Sequence, residues 1–132
     1  FIDSRKKPLI NGLKPKDIAH GVAKTLIGDE SNLRAFNQLV DSISLLHKES
    51  YLKTIETSLN VSHEHIFKTI KIPTLVIVGE LDTLTPPVMA KKIHNQIKNS
   101  DFFIINGAGH LTNIEKPDEF NRIVFNFLEN LS

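Results

Sequence analysis

The sequence predicts an α/β fold, with a helical N-terminal part followed by a parallel βαβα unit, and three observations carry that prediction. Thr74-Leu75-Val76-Ile77-Val78 is an unbroken apolar run, mostly β-branched, that stops at Gly79. Phe102-Phe103-Ile104-Ile105 is a second run. Between and after the two runs, apolar residues recur at helical spacing. Unbroken rather than alternating hydrophobicity belongs to strands covered on both faces, and a helical crossover between two such strands makes them parallel.

Taken in order, the first helix opens with Pro15 at a first helical position. Ile18, Val22 and Leu26 follow at four-residue spacing, and Gly28 closes the segment. Ser31 is placed to cap a second helix with Leu33, Phe36, Val40 and Ile43 on one face. A weaker third helix runs through Tyr51, Leu52, Ile55 and Leu59. Three short amphipathic helices with polar backs make a poor core alone. Residues 14–59 are therefore expected to lie as a lid on other structure.

The pattern changes at Ile72. A buried strand is expected over residues 73–79, and Thr85 with Pro86 supplies a cap and a first-turn proline for a helix over 86–98. That helix places Met89, Ala90, Ile93 and Ile97 on one side. A second buried strand is expected over 101–106, adjacent and parallel to the first. Pro117 opens a last helix over 117–130, with Asp118 and Glu119 complementing its dipole and Phe120, Ile123, Val124, Phe127, Leu128 and Leu131 on its apolar face. Two strands alone leave long unpaired edges, so association into a homodimer or swapped assembly is expected.

Composition narrows the function classes. A chain of 132 residues suits one domain or a substantial part of a larger one. A formal net charge of +1 gives no ground for a nucleic-acid or anionic-membrane partner. Without cysteine there is no disulfide framework and no thiol metal site, and a cytoplasmic setting is expected. The apolar runs fall well short of the roughly 20 residues that a membrane span needs. Phe1 is no initiator methionine and Ile2 to Lys7 are no signal peptide, so the reading is of a chain that starts inside a larger protein.

Two residues stand where open parallel sheets gather their chemistry, just past the carboxyl ends of strands. Asp82 lies in Gly79-Glu80-Leu81-Asp82-Thr83-Leu84-Thr85-Pro86-Pro87, and His110 in Asn106-Gly107-Ala108-Gly109-His110-Leu111. An acid followed by a histidine is two-thirds of a Ser…Asp…His triad, and the chain nowhere reads G-x-S-x-G. His110 would be the base that takes a hydroxyl proton and hands it to the leaving group. Asp82 would hold the ring tautomer and stabilise the imidazolium. Gly107 and Gly109 would let the backbone turn tightly where a Cβ hinders. Singly, the aspartate reads as a turn former and the histidine as polar loop filler; their joint placement and order favour the catalytic reading. Glu80 is the alternative acid, and otherwise a loop contact.

Ile72 to Leu131 resembles the C-terminal third of α/β-hydrolases, in the branch of enol-lactone hydrolases, small esterases and carbon–carbon bond hydrolases. The matches are Ile72-Pro73-Thr74-Leu75-Val76-Ile77-Val78-Gly79, Asp82 with Thr85-Pro86-Pro87, Gly107-Ala108-Gly109-His110, and Glu115-Lys116-Pro117 with Phe120. More loosely, Phe1-Ile2-Asp3-Ser4-Arg5 is similar to the end of the strand before the lid. The resemblance implies a C-terminal fragment of an α/β-hydrolase fold: residues 1–6 the end of a core strand, 7–69 a helical lid and linker, 70–132 the C-terminal part of the core. It implies a serine nucleophile upstream of Phe1, Asp82 and His110 as acid and base, and a small carboxylic ester, lactone or related acyl substrate. It implies no cofactor, no metal, and no activity for this chain alone. Two alternatives stay open: an aspartate-nucleophile enzyme like haloalkane dehalogenases, and a hydrolase-fold signalling or binding protein, since fold alone does not separate these.

Other features read as structural. His63-Glu64-His65 lacks the histidine spacing of a zinc helix and fits a solvated linker. Asn60-Val61-Ser62 matches a glycosylation pattern without a secretory context, and Arg5-Lys6-Lys7 reads as a solvated turn. His20, His47 and His94 fall in helical stretches as surface or interface residues, while Met89, Phe102 and Phe103 read as core packing.

Overall fold

The computed structural model describes residues 2–58 and 64–131. Phe1, Leu59, the Asn60-Val61-Ser62 pattern and His63 lie outside the described residues. The chain forms two compact units, Phe1–Thr25 with Asn32–Ser62 and Leu26–Ser31 with His63–Ser132.

The first unit is helical: α1 (Ile2–Ile10), most of α2 (Pro15–Leu26), α3 (Leu33–Ser44) and α4 (Lys48–Ser58). Residues 1–6 were expected to end a core strand; from Ile2 onward they are helix instead. A strand needs a neighbour for its backbone groups, whereas a helix pairs them internally. Arg5-Lys6-Lys7 is thus a turn of α1 rather than a loop, with Arg5 bonded to Thr25 Oγ1 at 3.3 Å and Lys6 paired to Glu56 at 2.7 Å. Gly12, at φ +103°, makes the turn out of α1. The core gathers Leu9, Ala19, Val22, Ala23, Leu39 and Ile55.

Two details of the helices differ from expectation. Asn32, not Ser31, caps α3, its side chain accepting Ala35 N–H at 3.2 Å; Ser31 instead donates its N–H and hydroxyl to Asp29. The buried stripe of α3 is Ala35, Leu39 and Ile43, while Leu33 is 66% exposed.

The second unit carries a short helix α5 (Glu64–Phe67), then β1 (Thr74–Gly79), α6 (Pro87–His94), β2 (Ser100–Ile105), α7 (Thr112–Glu115) and α8 (Pro117–Glu129). The strands pair in parallel, from Thr74 opposite Ser100 to Gly79 opposite Ile105, as the apolar runs predict. Ile105, Ala108 and Ile123 form its core, with Leu75, Ile77 and Phe120 packed against it. α6 stops at His94, short of the expected 98; Ile97 is still buried, in the turn that follows. Burial of β2 is incomplete on both faces, since consecutive side chains point to opposite sides of a strand. Phe103 is 43% and Ile104 42% exposed, and Met89 is 49% exposed, so these are not the core residues that their hydrophobicity suggested. His94 is drawn inward instead, stacking on Phe102 at 5.5 Å and meeting Ser100 Oγ at 2.9 Å. No helix among the described residues is long and apolar enough to cross a membrane.

Candidate active site

Parallel pairing brings the carboxyl ends of β1 and β2 side by side, so the loops holding Asp82 and His110 leave the sheet as neighbours. Glu80 N–H donates to Ile105 O at 2.9 Å and Leu81 N–H to Ala108 O at 2.8 Å, extending the ladder past both strands. The two sequence-predicted residues meet there. His110 Nδ1 lies 3.0 Å from Asp82 Oδ2.

Asp82 is 6% exposed. Its Oδ1 accepts the N–H groups of Leu84 and Thr85, both at 2.9 Å, and its Oδ2 accepts the Thr85 hydroxyl at 2.8 Å. Burial alone would raise the carboxyl pKa. Bonds from Thr85 N–H, the His110 ring, the Thr85 hydroxyl and Leu84 N–H outweigh it and hold the carboxyl below its ordinary range. Asp82 is therefore an anion at neutral pH, able to accept a proton-bearing ring nitrogen of His110. Thr85 was expected to cap the following helix, but its hydroxyl is committed to Asp82. The helix instead begins at Pro87, with Pro86 preceding it and no side-chain cap. Thr85 Oγ1 is also 3.3 Å from His110 Nδ1, beside the carboxylate.

His110 is seated from behind. Gly107 adopts φ +64°, the left-handed turn that starts the loop, and its N–H donates to Glu80 Oε2 at 2.9 Å. Glu80, the alternative acid, thus serves the loop and is not the residue bonded to His110. Gly109 lacks a side chain for a different reason, close approach: a Cβ there would overlap Gly28 N and stand 2.6 Å from Leu26 O. His110 N–H donates to Leu26 O at 2.8 Å. Sequence reading missed this use of residues 26–28, and also Glu115, which binds the Gly109 and Gly28 N–H groups at 2.9 and 2.8 Å. The signal in the sequence was the Glu115-Lys116-Pro117 match, which carried the resemblance but no role for the carboxylate.

A groove of about 360 Å³ opens beside the pair, with Val76, Val78, Met89 and Ile93 among its walls and Asp82 and His110 at its polar end. The arrangement is that of an oriented imidazole: one nitrogen held by a buried anion, the ring itself 31% exposed. Among the described residues no three His, Asp or Glu side chains gather as a metal site. Glu64 and His65 lie on α5. His20 packs edge-on to Phe36 and His47 bonds Ser50 and Glu49, both within the first unit.

Residues 6–117 match the alpha/beta hydrolase fold family, and the chain belongs to it. Among curated relatives, proline iminopeptidase of Thermoplasma volcanium is 45% identical over 60 residues, covering 46% of this chain and 20% of that protein. Among solved structures, a thermophilic esterase of Thermogutta terrifontis superposes with a TM-score of 0.85 at 22% identity, covering 98% of this chain and 50% of its own. The enol-lactonase of Burkholderia xenovorans LB400 also gives 0.85 at 22% identity, covering 96% and 49%. At that identity the structural likeness shows the fold. The chain thus spans about half the length of these solved hydrolases and matches a fifth of the curated relative.

Proposed function

We propose that this chain is the acid–base and lid portion of a serine-type α/β-hydrolase that cleaves a small carboxylic ester, lactone or related acyl substrate, with the nucleophile in a segment ahead of Phe1. The observation that carries the reading is the 3.0 Å contact between a buried, multiply bonded Asp82 and the His110 ring. In this reading Asp82 keeps the proton on Nδ1, and Nε2 takes the nucleophile's hydroxyl proton as its oxygen attacks the acyl carbon. The same nitrogen returns the proton to the leaving oxygen as the acyl bond breaks. Water then repeats the cycle, releasing the acid. The α2–α4 helices serve as the lid. The reading places the enzyme in the cytoplasm and calls for no cofactor, because the chemistry is proton transfer and acyl transfer throughout.

The test is turnover of p-nitrophenyl acetate and a simple lactone by the intact protein. His110→Ala and Asp82→Asn should each abolish nearly all of it, and normal hydrolysis by His110→Ala overturns the assignment. This chain alone should be inactive, having base and acid without a nucleophile to acylate. A second reading, proline iminopeptidase activity, is favoured by the 45% identity to the Thermoplasma volcanium protein over 60 residues. A prolyl anilide turned over in preference to the esters would select it, with the same two residues in the same roles. Studied alone, the chain is proposed to self-associate through its exposed strand surface, including Phe103 and Ile104. A stable monomer in light scattering at high concentration overturns that.

A further inference from the structure

One buried carboxylate takes no part in the proposed proton relay. Glu115 ends α7 and is 4% exposed. Its Oε1 accepts Gly109 N–H at 2.9 Å and Leu111 N–H at 3.4 Å, and its Oε2 accepts Gly28 N–H at 2.8 Å. With His110 N–H on Leu26 O at 2.8 Å, three successive peptide N–H groups, those of 109, 110 and 111, are bound on the inner side of the loop. The two backbones touch. A Cβ at Gly28 would lie 2.5 Å from Gly109 N.

A buried anion is costly unless several donors satisfy it, and charge-assisted bonds to backbone N–H groups are the strong kind. A staple that only joined residues 26–31 to the rest of the unit could sit anywhere along the contact. This one grips the peptide groups on both flanks of His110. Asp82 is held by its own loop, so the relative position of the two side chains depends on how firmly the histidine loop is seated.

We propose that Glu115 is the positioning residue of this site, its carboxylate fixing the backbone on both sides of His110 so that Nδ1 stays within bonding distance of Asp82. The proposal rests on the reading of His110 as the base. It predicts a loss in the chemical step rather than in substrate binding.

The test uses the intact protein with Glu115→Ala, Glu115→Gln and, as a control, Ile97→Ala, which removes a buried side chain of the same unit away from the pair. At a temperature where all three are folded, Glu115→Ala should lower kcat about 100-fold with KM unchanged, the scale of a misplacement near 1 Å. Glu115→Gln, which keeps one acceptor oxygen, should fall between it and the parent. The His110 ring N–H proton resonance should move or broaden in both Glu115 variants and stay in place in Ile97→Ala. Parental kcat and an unmoved ring proton in a folded Glu115 variant overturn the proposal, as does an equal kcat loss in Ile97→Ala. If Glu115→Ala does not fold, Glu115→Gln decides alone. His110→Ala separates the two levels of inference: an active His110→Ala removes the base assignment itself, whereas an inactive one beside active Glu115 variants removes only the role of Glu115.

Discussion

The loops that follow β1 and β2 stand side by side and are held in opposite ways. The first holds itself: Asp82 accepts from Leu84 N–H and from Thr85 N–H and hydroxyl, all within three residues. The second is held by others: Gly107 by Glu80, Gly109 by Glu115, and His110 by the carbonyl of Leu26. A carboxylate in a self-closing turn is preorganised by local sequence. The imidazole that faces that carboxylate, proposed here to exchange protons, is placed by distant parts of the unit. Asp82 is therefore the fixed member of the pair, and His110 is the member whose position can be lost.

Removing either member should give the largest effect. Asp82→Asn in the intact enzyme should lower kcat about 10⁴-fold, since the amide can select the wrong ring tautomer. Ester hydrolysis under saturating substrate measures this, and a loss below tenfold would mean that the self-held loop is not part of the site. Next comes the packing that seats the second loop. Gly109→Ala should destabilise the protein by about 3 kcal/mol, because the new methyl meets backbone on the facing segment rather than a yielding side chain. Gly107→Ala should cost about 1 kcal/mol, the penalty of a left-handed φ, since only the flexible end of Lys116 lies near. Denaturant midpoints rank the two, and the reverse order would place the constraint in the turn rather than in the contact.

A smaller effect is expected in the first loop. Thr85→Val should cost about 1 kcal/mol by removing a donor to Asp82 Oδ2. It should also let the Asp82 carboxyl pKa rise toward its ordinary value, because one of the bonds that lower it is gone. The sign of the pH dependence follows. A carboxyl whose pKa is depressed in the folded state adds stability at pH above its unfolded value, about 3.9. That stability disappears as pH falls through the lower, folded-state value. Unfolding free energy measured down the acid limb should therefore drop less steeply in Thr85→Val than in the parent. The smallest effect belongs to Glu80→Gln, whose amide oxygen can still accept from Gly107 N–H. It should change stability by less than about 0.5 kcal/mol and leave turnover intact. A large activity loss there would return Glu80 to the role of acid.

The same contrast explains what was legible in the sequence. Strands β1 and β2 announced themselves by unbroken apolar runs, and α8 by its proline and its helical period. Asp82 and His110 could be paired because parallel strands bring their carboxyl ends together, a rule that needs only topology. The exposure of Phe103 and Ile104, on opposite faces of β2, could not be read, since hydrophobicity states what a side chain prefers and not what lies against it. Asn32 and Ser31 are both good caps one residue apart, and propensity does not choose between them. The N-terminal residues carry too few apolar positions to separate the end of a strand from the start of a helix. Glu115 and Gly28 escaped for a different reason. Their bond joins residues 87 positions apart, and no local pattern encodes a partner at that distance.

That separation has a kinetic consequence. A bond across 87 residues closes a long loop, and its closure entropy must be overcome before the contact contributes anything. The turn around Asp82 can form as soon as β1 ends, from neighbours alone. The seat of His110 has to wait until the backbone at Leu26–Gly28 has come back from far along the chain. Substitutions at Gly28, Gly109 or Glu115 should accordingly quicken unfolding far more than they slow folding. The histidine, on this account, is among the last parts of the molecule to arrive and the first to leave.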